Sequence, residues 1–150
     1  MKRLLDINMW IALTLETHPQ HKSARQWYEK ELLLHWELVF CRPTEMGFLR
    51  LITQEKVMNR CSAAAMTNSE AVKFLANVYD DRVVSRADEP PATRALWLEL
   101  ADHFQAAPNL WMDAYLAAFA IALDAQMVTF DRGFDSFVRH GLNLALLQST

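Results

Sequence analysis

The sequence predicts an α/β fold in which a central, mostly parallel sheet of four to five strands lies between helices. Short apolar segments alternate with longer segments of helical periodicity along the whole chain. Segments such as ELVFC, residues 37–41, are continuously apolar after their first residue, which is typical of strands buried on both faces. Alternating strands and helices favour parallel pairing, so helices are expected on both faces of the sheet.

The predicted elements follow from these patterns in chain order. Strands are expected at residues 2–6, 37–41, 82–85, 126–130 and 142–147. Helices are expected at residues 8–16, 22–33, 45–53, 67–80, 93–104 and 112–125, and a turn with a short helix over 131–140. The predicted N-caps are Asn8, Thr44 and Thr67, and Thr67 forms a capping box with Glu70. No linker or repeat interrupts this order, so residues 1–150 are expected to form one domain.

Composition excludes several classes of protein. A formal net charge of −3 argues against an overall basic surface for nucleic acid, and three glycines leave no phosphate-cradling loop for a nucleotide-driven enzyme. The longest apolar segment, residues 114–123, is too short to span a bilayer. Cys41 and Cys61 form neither a CxxC nor a zinc spacing. No oxidising compartment is required, and a cytoplasmic protein is expected.

Four acidic residues stand where predicted strands give way to helices. Asp6 and Asp131 follow strands, while Glu45 and Asp113 open helices. The carboxyl ends of parallel strands share one edge of the sheet, where ligands bind. Converging carboxylates repel one another, and a hard cation such as Mg²⁺ or Mn²⁺ relieves that repulsion. Each acid also suits a helix N-terminus, so capping is an alternative explanation that the spacing alone leaves open.

Four segments at these acids resemble the conserved blocks of PIN-domain ribonucleases, in particular the VapC-type toxins of VapBC toxin–antitoxin pairs. They are LLDINMWIAL, PTEMGFLRLIT, DAYLAAFAIAL and MVTFDRGF, and they span residues 4–134 in the family's order. The resemblance implies a three-layer α/β/α PIN-like fold. It also implies that the metal-binding acids are Asp6, Glu45, Asp113 and Asp131.

The same resemblance assigns supporting residues. Asn8 matches a small polar position that helps to hold the first acid or a metal-bound water. Arg50 matches a frequent basic position, where it either reaches RNA or stays solvated. Gly133 stands where many relatives carry a further acid, and Asp135 is nearby but shifted by two residues.

The activity implied is hydrolysis of RNA phosphodiester bonds by an endoribonuclease that uses Mg²⁺ or Mn²⁺. Water attacks in line, and the products carry 5′-phosphate and 3′-hydroxyl groups. The implied partners are an RNA substrate, a cognate antitoxin protein and a second copy of the chain. The apolar helices at residues 8–16 and 43–53 are candidates for these protein contacts.

Two other functions are compatible with parts of the sequence. In a PIN-like binding module without activity, the acids would only cap helices. In a phosphotransferase, Asp6 would form an aspartyl phosphate, but Asn8 replaces the expected second aspartate and Lys73 lies in an ordinary helix. His18 and His21 form an HPQH segment without a third metal ligand nearby, which favours a polar loop.

Overall fold

Five parallel strands form one sheet at the centre of the protein. The computed structural model describes residues 1–149, so Thr150, the last residue of the predicted domain, lies outside the described range. The strands are β1 (Lys2–Leu5), β2 (Glu37–Phe40), β3 (Val84–Arg86), β4 (Gln126–Thr129) and β5 (Leu144–Leu146). Their order in the sheet is β3-β2-β1-β4-β5. Every pairing is parallel, which confirms the predicted topology.

Helices connect the strands. They are α1 (Ile7–Thr14), α2 (His21–Leu32), α3 (Arg42–Ile52), α4 (Glu55–Arg60), α5 (Asn68–Tyr79), α6 (Thr93–Ala101) and α7 (Leu110–Ala122), with a 3₁₀ helix (Arg132–His140) between β4 and β5. Helix α4 was not predicted, because six residues are too few to show helical periodicity. Helix α6 ends three residues before the predicted limit, at Ala101, and α7 begins two residues earlier than predicted.

Each face of the sheet carries its own apolar core, as the three-layer α/β/α prediction requires. Alternate strand residues point to opposite faces. Leu5 and Phe40 join a core with α1, α2, α3 and α5, whereas Leu4 and Val39 join a core with α7 and the 3₁₀ helix. Because both faces are covered, the strands are apolar at consecutive positions. Within residues 1–149, no helix has the length and apolar character needed to cross a membrane.

Two predicted caps are corrected by the structure. Helix α1 begins at Ile7, and its N-cap is Asp6, whose Oδ1 accepts a hydrogen bond from the Ile7 N–H at 2.7 Å. Asn8 therefore lies inside the first turn. Helix α3 begins at Arg42, and Thr44 lies in its first turn, where its Oγ1 accepts from the Cys41 N–H at 2.9 Å. The predicted capping box of α5 is present, with Thr67 as its N-cap.

A glycine sets how closely α1 and α3 pack. A Cβ atom added at Gly47 would lie 2.2 Å from Cδ1 of Ile7. Ile7 directly follows Asp6, and Gly47 lies two residues after Glu45. The absence of a side chain at position 47 therefore allows close contact between α1 and α3, which lie beside Asp6 and Glu45.

Candidate active site

Three of the four predicted acids form one electrostatically coupled group at the carboxyl edge of the sheet. Asp6 follows β1, Asp131 follows the neighbouring strand β4, and Asp113 lies in the first turn of α7. Asp6 is buried, Asp113 is half-buried and Asp131 is exposed. The group is therefore open to solvent on one side, as a site for a large substrate must be.

Thr129, at the end of β4, connects two of these acids. Its Oγ1 donates to Oδ2 of Asp6 at 2.9 Å and accepts from the backbone N–H of Asp131 at 2.9 Å. Oδ1 of Asp131 accepts in turn from the Gly133 N–H at 2.8 Å. Thr129 is fully buried. Sequence reasoning missed this residue, although a hydroxyl among the apolar side chains of MVTF, residues 127–130, was a usable signal.

The three carboxylates are close enough for their charges to affect one another's pKa values. Burial raises the pKa of Asp6 against the opposing effect of its hydrogen bonds from Thr129 and Ile7, and the charge of Asp131 raises it further. Burial also raises the pKa of Asp113 to about 6, with further contributions from the charges of Asp131 and Asp6. The site thus concentrates negative charge that no cationic side chain in it neutralises within residues 1–149.

Glu45, the fourth predicted acid, lies in the first turn of α3 with partners of its own. Its Oε2 accepts from the Tyr79 hydroxyl at 2.7 Å, and its Oε1 lies 3.2 Å from Nη1 of Arg42. Burial and this bond to Glu45 raise the pKa of Tyr79, so the phenol remains a donor. Helix α3 follows β2, the other neighbour of β1, so Glu45 belongs to the same edge of the sheet.

The chemistry of these side chains fits a hard divalent cation. All four predicted ligands are carboxylates, and the buried Oε1 of Glu45 has no hydrogen-bond donor among residues 1–149. As they stand, however, no three His, Cys, Asp or Glu side chains in residues 1–149 are grouped so that they could hold a metal ion. Binding would therefore require the carboxylates to come closer together.

No hydrogen bond or ion pair among residues 1–149 joins Asn8, Arg50 or Asp135 to the acid group. Asn8 is exposed, and no hydrogen bond joins it to a carboxylate among the described residues. Arg50 is exposed and lines a cleft of about 250 Å³ between α3 and α5, together with Val72. Asp135 is exposed on the 3₁₀ helix, and no ion pair or hydrogen bond within residues 1–149 ties it to the acids. At position 133, a backbone N–H contacts Asp131 instead of a further carboxylate.

The histidine segment and two predicted surface features also have clear positions. The His21 ring lies 2.8 Å from the Ala12 carbonyl oxygen, and Nδ1 of His18 accepts from the Gln20 N–H at 3.0 Å, which supports the polar-loop interpretation. Trp10 of α1 is fully buried, so its side chain packs in the core and gives α1 no aromatic contact surface. On α3, Met46 is 63% exposed and remains available for contacts.

Comparison with known proteins identifies the class. The sequence matches the PIN domain family over residues 3–139. It is 37% identical over 145 residues to Ribonuclease VapC41 of Mycobacterium tuberculosis, covering 96% of this chain and 97% of the relative. Ribonuclease VapC44 of the same organism is 31% identical over 139 residues, covering 88% of this chain and 87% of the relative. The chain therefore belongs to the VapC group of the PIN domain family, as its four segments indicated.

Solved structures agree with this fold. VapBC-1 from nontypeable Haemophilus influenzae superposes with a TM-score of 0.67 at 15% identity, covering 97% of this chain and 98% of that one. Mycobacterium tuberculosis VapC20, a toxin that cleaves the sarcin–ricin loop, superposes with a TM-score of 0.62 at 17% identity, covering 93% and 95%. At such identities the likeness establishes the architecture alone.

Replacing Thr129 with valine is expected to lower the free energy of unfolding by about 1–3 kcal/mol, because the Asp131 N–H loses its acceptor and Asp6 loses its donor. The shape of the side chain is nearly unchanged, so the effect reports on the hydroxyl. Urea denaturation measures it. Thr14→Val is the control, since Oγ1 of Thr14 donates to the Trp10 carbonyl oxygen inside α1 and touches none of the acids. Equal stability of Thr129→Val and the wild type would contradict this role.

Proposed function

We propose that this protein is an endoribonuclease that requires Mg²⁺ or Mn²⁺ and acts as the toxin of a type II toxin–antitoxin pair. The observation that carries the proposal is the group of Asp6, Asp113 and Asp131, in which burial and the charges of neighbouring acids raise the pKa values of Asp6 and Asp113. Relatives named as VapC ribonucleases over nearly the whole chain support the nuclease class. A binding module needs no such crowding of carboxylates, whereas metal-assisted hydrolysis does.

The residues divide the work of hydrolysis. Asp6, Asp113 and Asp131 would hold the cation, and Glu45 would be the fourth ligand or would contact the water shell of the cation. When bound, the cation lowers the pKa of water and stabilises charge on the phosphoryl oxygens. Thr129 and the Ile7 N–H hold Asp6 in one orientation. One carboxylate accepts the proton of the attacking water, and in-line attack leaves 5′-phosphate and 3′-hydroxyl ends.

The partner proposal has separate support. The neighbouring structures include VapBC-1 of Haemophilus influenzae and VapBC2 of Rickettsia felis bound to a fragment of promoter DNA. By analogy, we propose that a cognate antitoxin binds this chain and that the chain forms homodimers. A small open reading frame beside the gene, encoding a DNA-binding protein with an acidic or arginine-bearing tail, is what the antitoxin proposal requires.

The test measures RNA cleavage and metal binding together. Wild-type protein is expected to cleave single-stranded RNA with Mn²⁺ or Mg²⁺ and to lose cleavage with EDTA. Asp6→Asn is expected to lower the rate by roughly 100-fold or more, because a neutral amide replaces a charged ligand. Mn²⁺ is expected to raise the melting temperature of the wild type more than that of the variant. Unchanged cleavage in Asp6→Asn would exclude this site. A wild-type melting temperature that does not change with Mn²⁺ would favour the binding module.

A further inference from the structure

The two carboxylate oxygens of Glu45 have different surroundings. Oε2 accepts a hydrogen bond of 2.7 Å from the Tyr79 hydroxyl. Oε1 is buried and has no hydrogen-bond partner in the described part of the chain, although Nη1 of Arg42 lies 3.2 Å away in an ion pair. The Arg42 side chain is 65% exposed, so it can move into solvent at little cost. Glu45 therefore has one oxygen that accepts a hydrogen bond from Tyr79 and one oxygen that is paired with the exposed guanidinium of Arg42.

The Tyr79 hydroxyl is placed by ring packing rather than by its own hydrogen bond. The Tyr79 ring, at the end of α5, lies 5.4 Å from the Phe40 ring, and Phe40 stacks on Trp10 at 3.8 Å. Both Phe40 and Trp10 are fully buried. The core thus holds the phenol where it meets Glu45, and loss of the hydroxyl alone leaves this packing in place.

We infer that Tyr79 is a positioning residue for Glu45, an inference that rests on the proposed metal-dependent function. Its hydroxyl holds Oε2, so the carboxylate cannot rotate to offer both oxygens to Arg42. Oε1 then remains the oxygen available to a divalent cation or to its water shell once Arg42 moves aside. Such donors behind a ligand typically change metal affinity by about 10- to 100-fold.

The experiment uses Tyr79→Phe, with Tyr28→Phe as the matched control. Tyr28 also donates from its hydroxyl to a carboxylate, that of Asp81, but it joins α2 to the segment before β3. Mn²⁺ binding is measured through the electron paramagnetic resonance signal of free Mn²⁺. Tyr79→Phe is expected to weaken Mn²⁺ binding by roughly tenfold and to raise the Mn²⁺ concentration for half-maximal RNA cleavage equally, while Tyr28→Phe changes neither.

A double-mutant cycle separates positioning from a general structural effect. Because Tyr79 acts through Glu45, adding Tyr79→Phe to Glu45→Gln is expected to weaken Mn²⁺ binding no further. Wild-type affinity in Tyr79→Phe, additive losses in the double variant, or a Tyr79→Phe protein that fails to fold would each overturn the inference. If wild-type protein itself binds no Mn²⁺, the proposed function fails first, and the inference falls with it.

Discussion

Asp113→Asn is expected to slow RNA cleavage strongly and, in metal-free buffer at neutral pH, to stabilise the fold. Loss of a charged ligand lowers the cleavage rate by roughly 100- to 1,000-fold under the proposed function. The gain in stability has a separate cause, because Asp113 is charged at pH 7 beside Asp6 and Asp131. The amide removes one charge from this crowded group.

The pH dependence follows from the direction of the pKa change. The pKa of Asp113 rises from 3.8 to about 6 on folding, so the folded state binds the proton more tightly. Its contribution to the free energy of unfolding is fully present below pH 3.8 and is lost as the pH rises through about 6. Since the side chain is half-exposed, we expect a loss on the order of 1 kcal/mol after solvent screening.

Urea denaturation with EDTA from pH 4 to pH 7 measures this loss. The wild type is expected to lose stability over that range, and Asp113→Asn is expected to lose less. Asp135→Asn serves as the control, because Asp135 is an exposed carboxylate outside the coupled group. Parallel stability curves for the wild type and Asp113→Asn would contradict the coupling of the three acids.

Trp10→Ala is expected to lower the free energy of unfolding by about 3–5 kcal/mol, a large loss for a single substitution. The ring is fully buried and lies parallel to Phe40, with centroids 3.8 Å apart and planes 5° apart. The loss is moderated because the buried Nε1 of Trp10 has no hydrogen-bond partner within the described residues 1–149. Removing the indole therefore leaves a cavity without breaking a hydrogen bond from the ring.

Guanidinium denaturation of Trp10→Ala and Trp111→Ala makes the comparison. Trp111 is 53% exposed. It accepts a hydrogen bond of 2.8 Å from Nε1 of Trp97 through its backbone carbonyl oxygen, which the substitution does not remove. The same substitution at Trp111 is expected to cost less than about 1 kcal/mol. Similar losses for the two variants would show that the core over β2 and α1 contributes less than its packing indicates.

The sheet and the positions of the acids could be predicted because both follow from local signals. Apolar segments bounded by Asp6 and Asp131 show strands that end in carboxylates, and parallel pairing brings such ends to one edge. The alternation of predicted strands and helices is sufficient to predict the α/β class of fold. The family assignment needed the ordered set of four segments, since any one of them is too short to be specific.

The contacts that orient the acids could not be predicted, because they join residues distant in the chain. Tyr79 lies 34 residues from Glu45, and Thr129 lies 123 residues from Asp6. Nothing in the local pattern around Asn8 distinguishes the cap from the first helical turn, so the cap was misplaced by two residues. Such contacts depend on tertiary packing, which periodicity and propensity do not encode.

The close packing of α1 on α3 has a consequence for how this sequence can change over time. Any side chain larger than hydrogen at position 47 would meet Ile7. The two positions should therefore covary, so that a larger residue at position 47 is accompanied by a smaller residue at position 7. Because positions 7 and 47 lie beside Asp6 and Glu45, such substitutions would also alter the distance between these acids. Natural variation at this pair is therefore expected to be narrow wherever cleavage is retained.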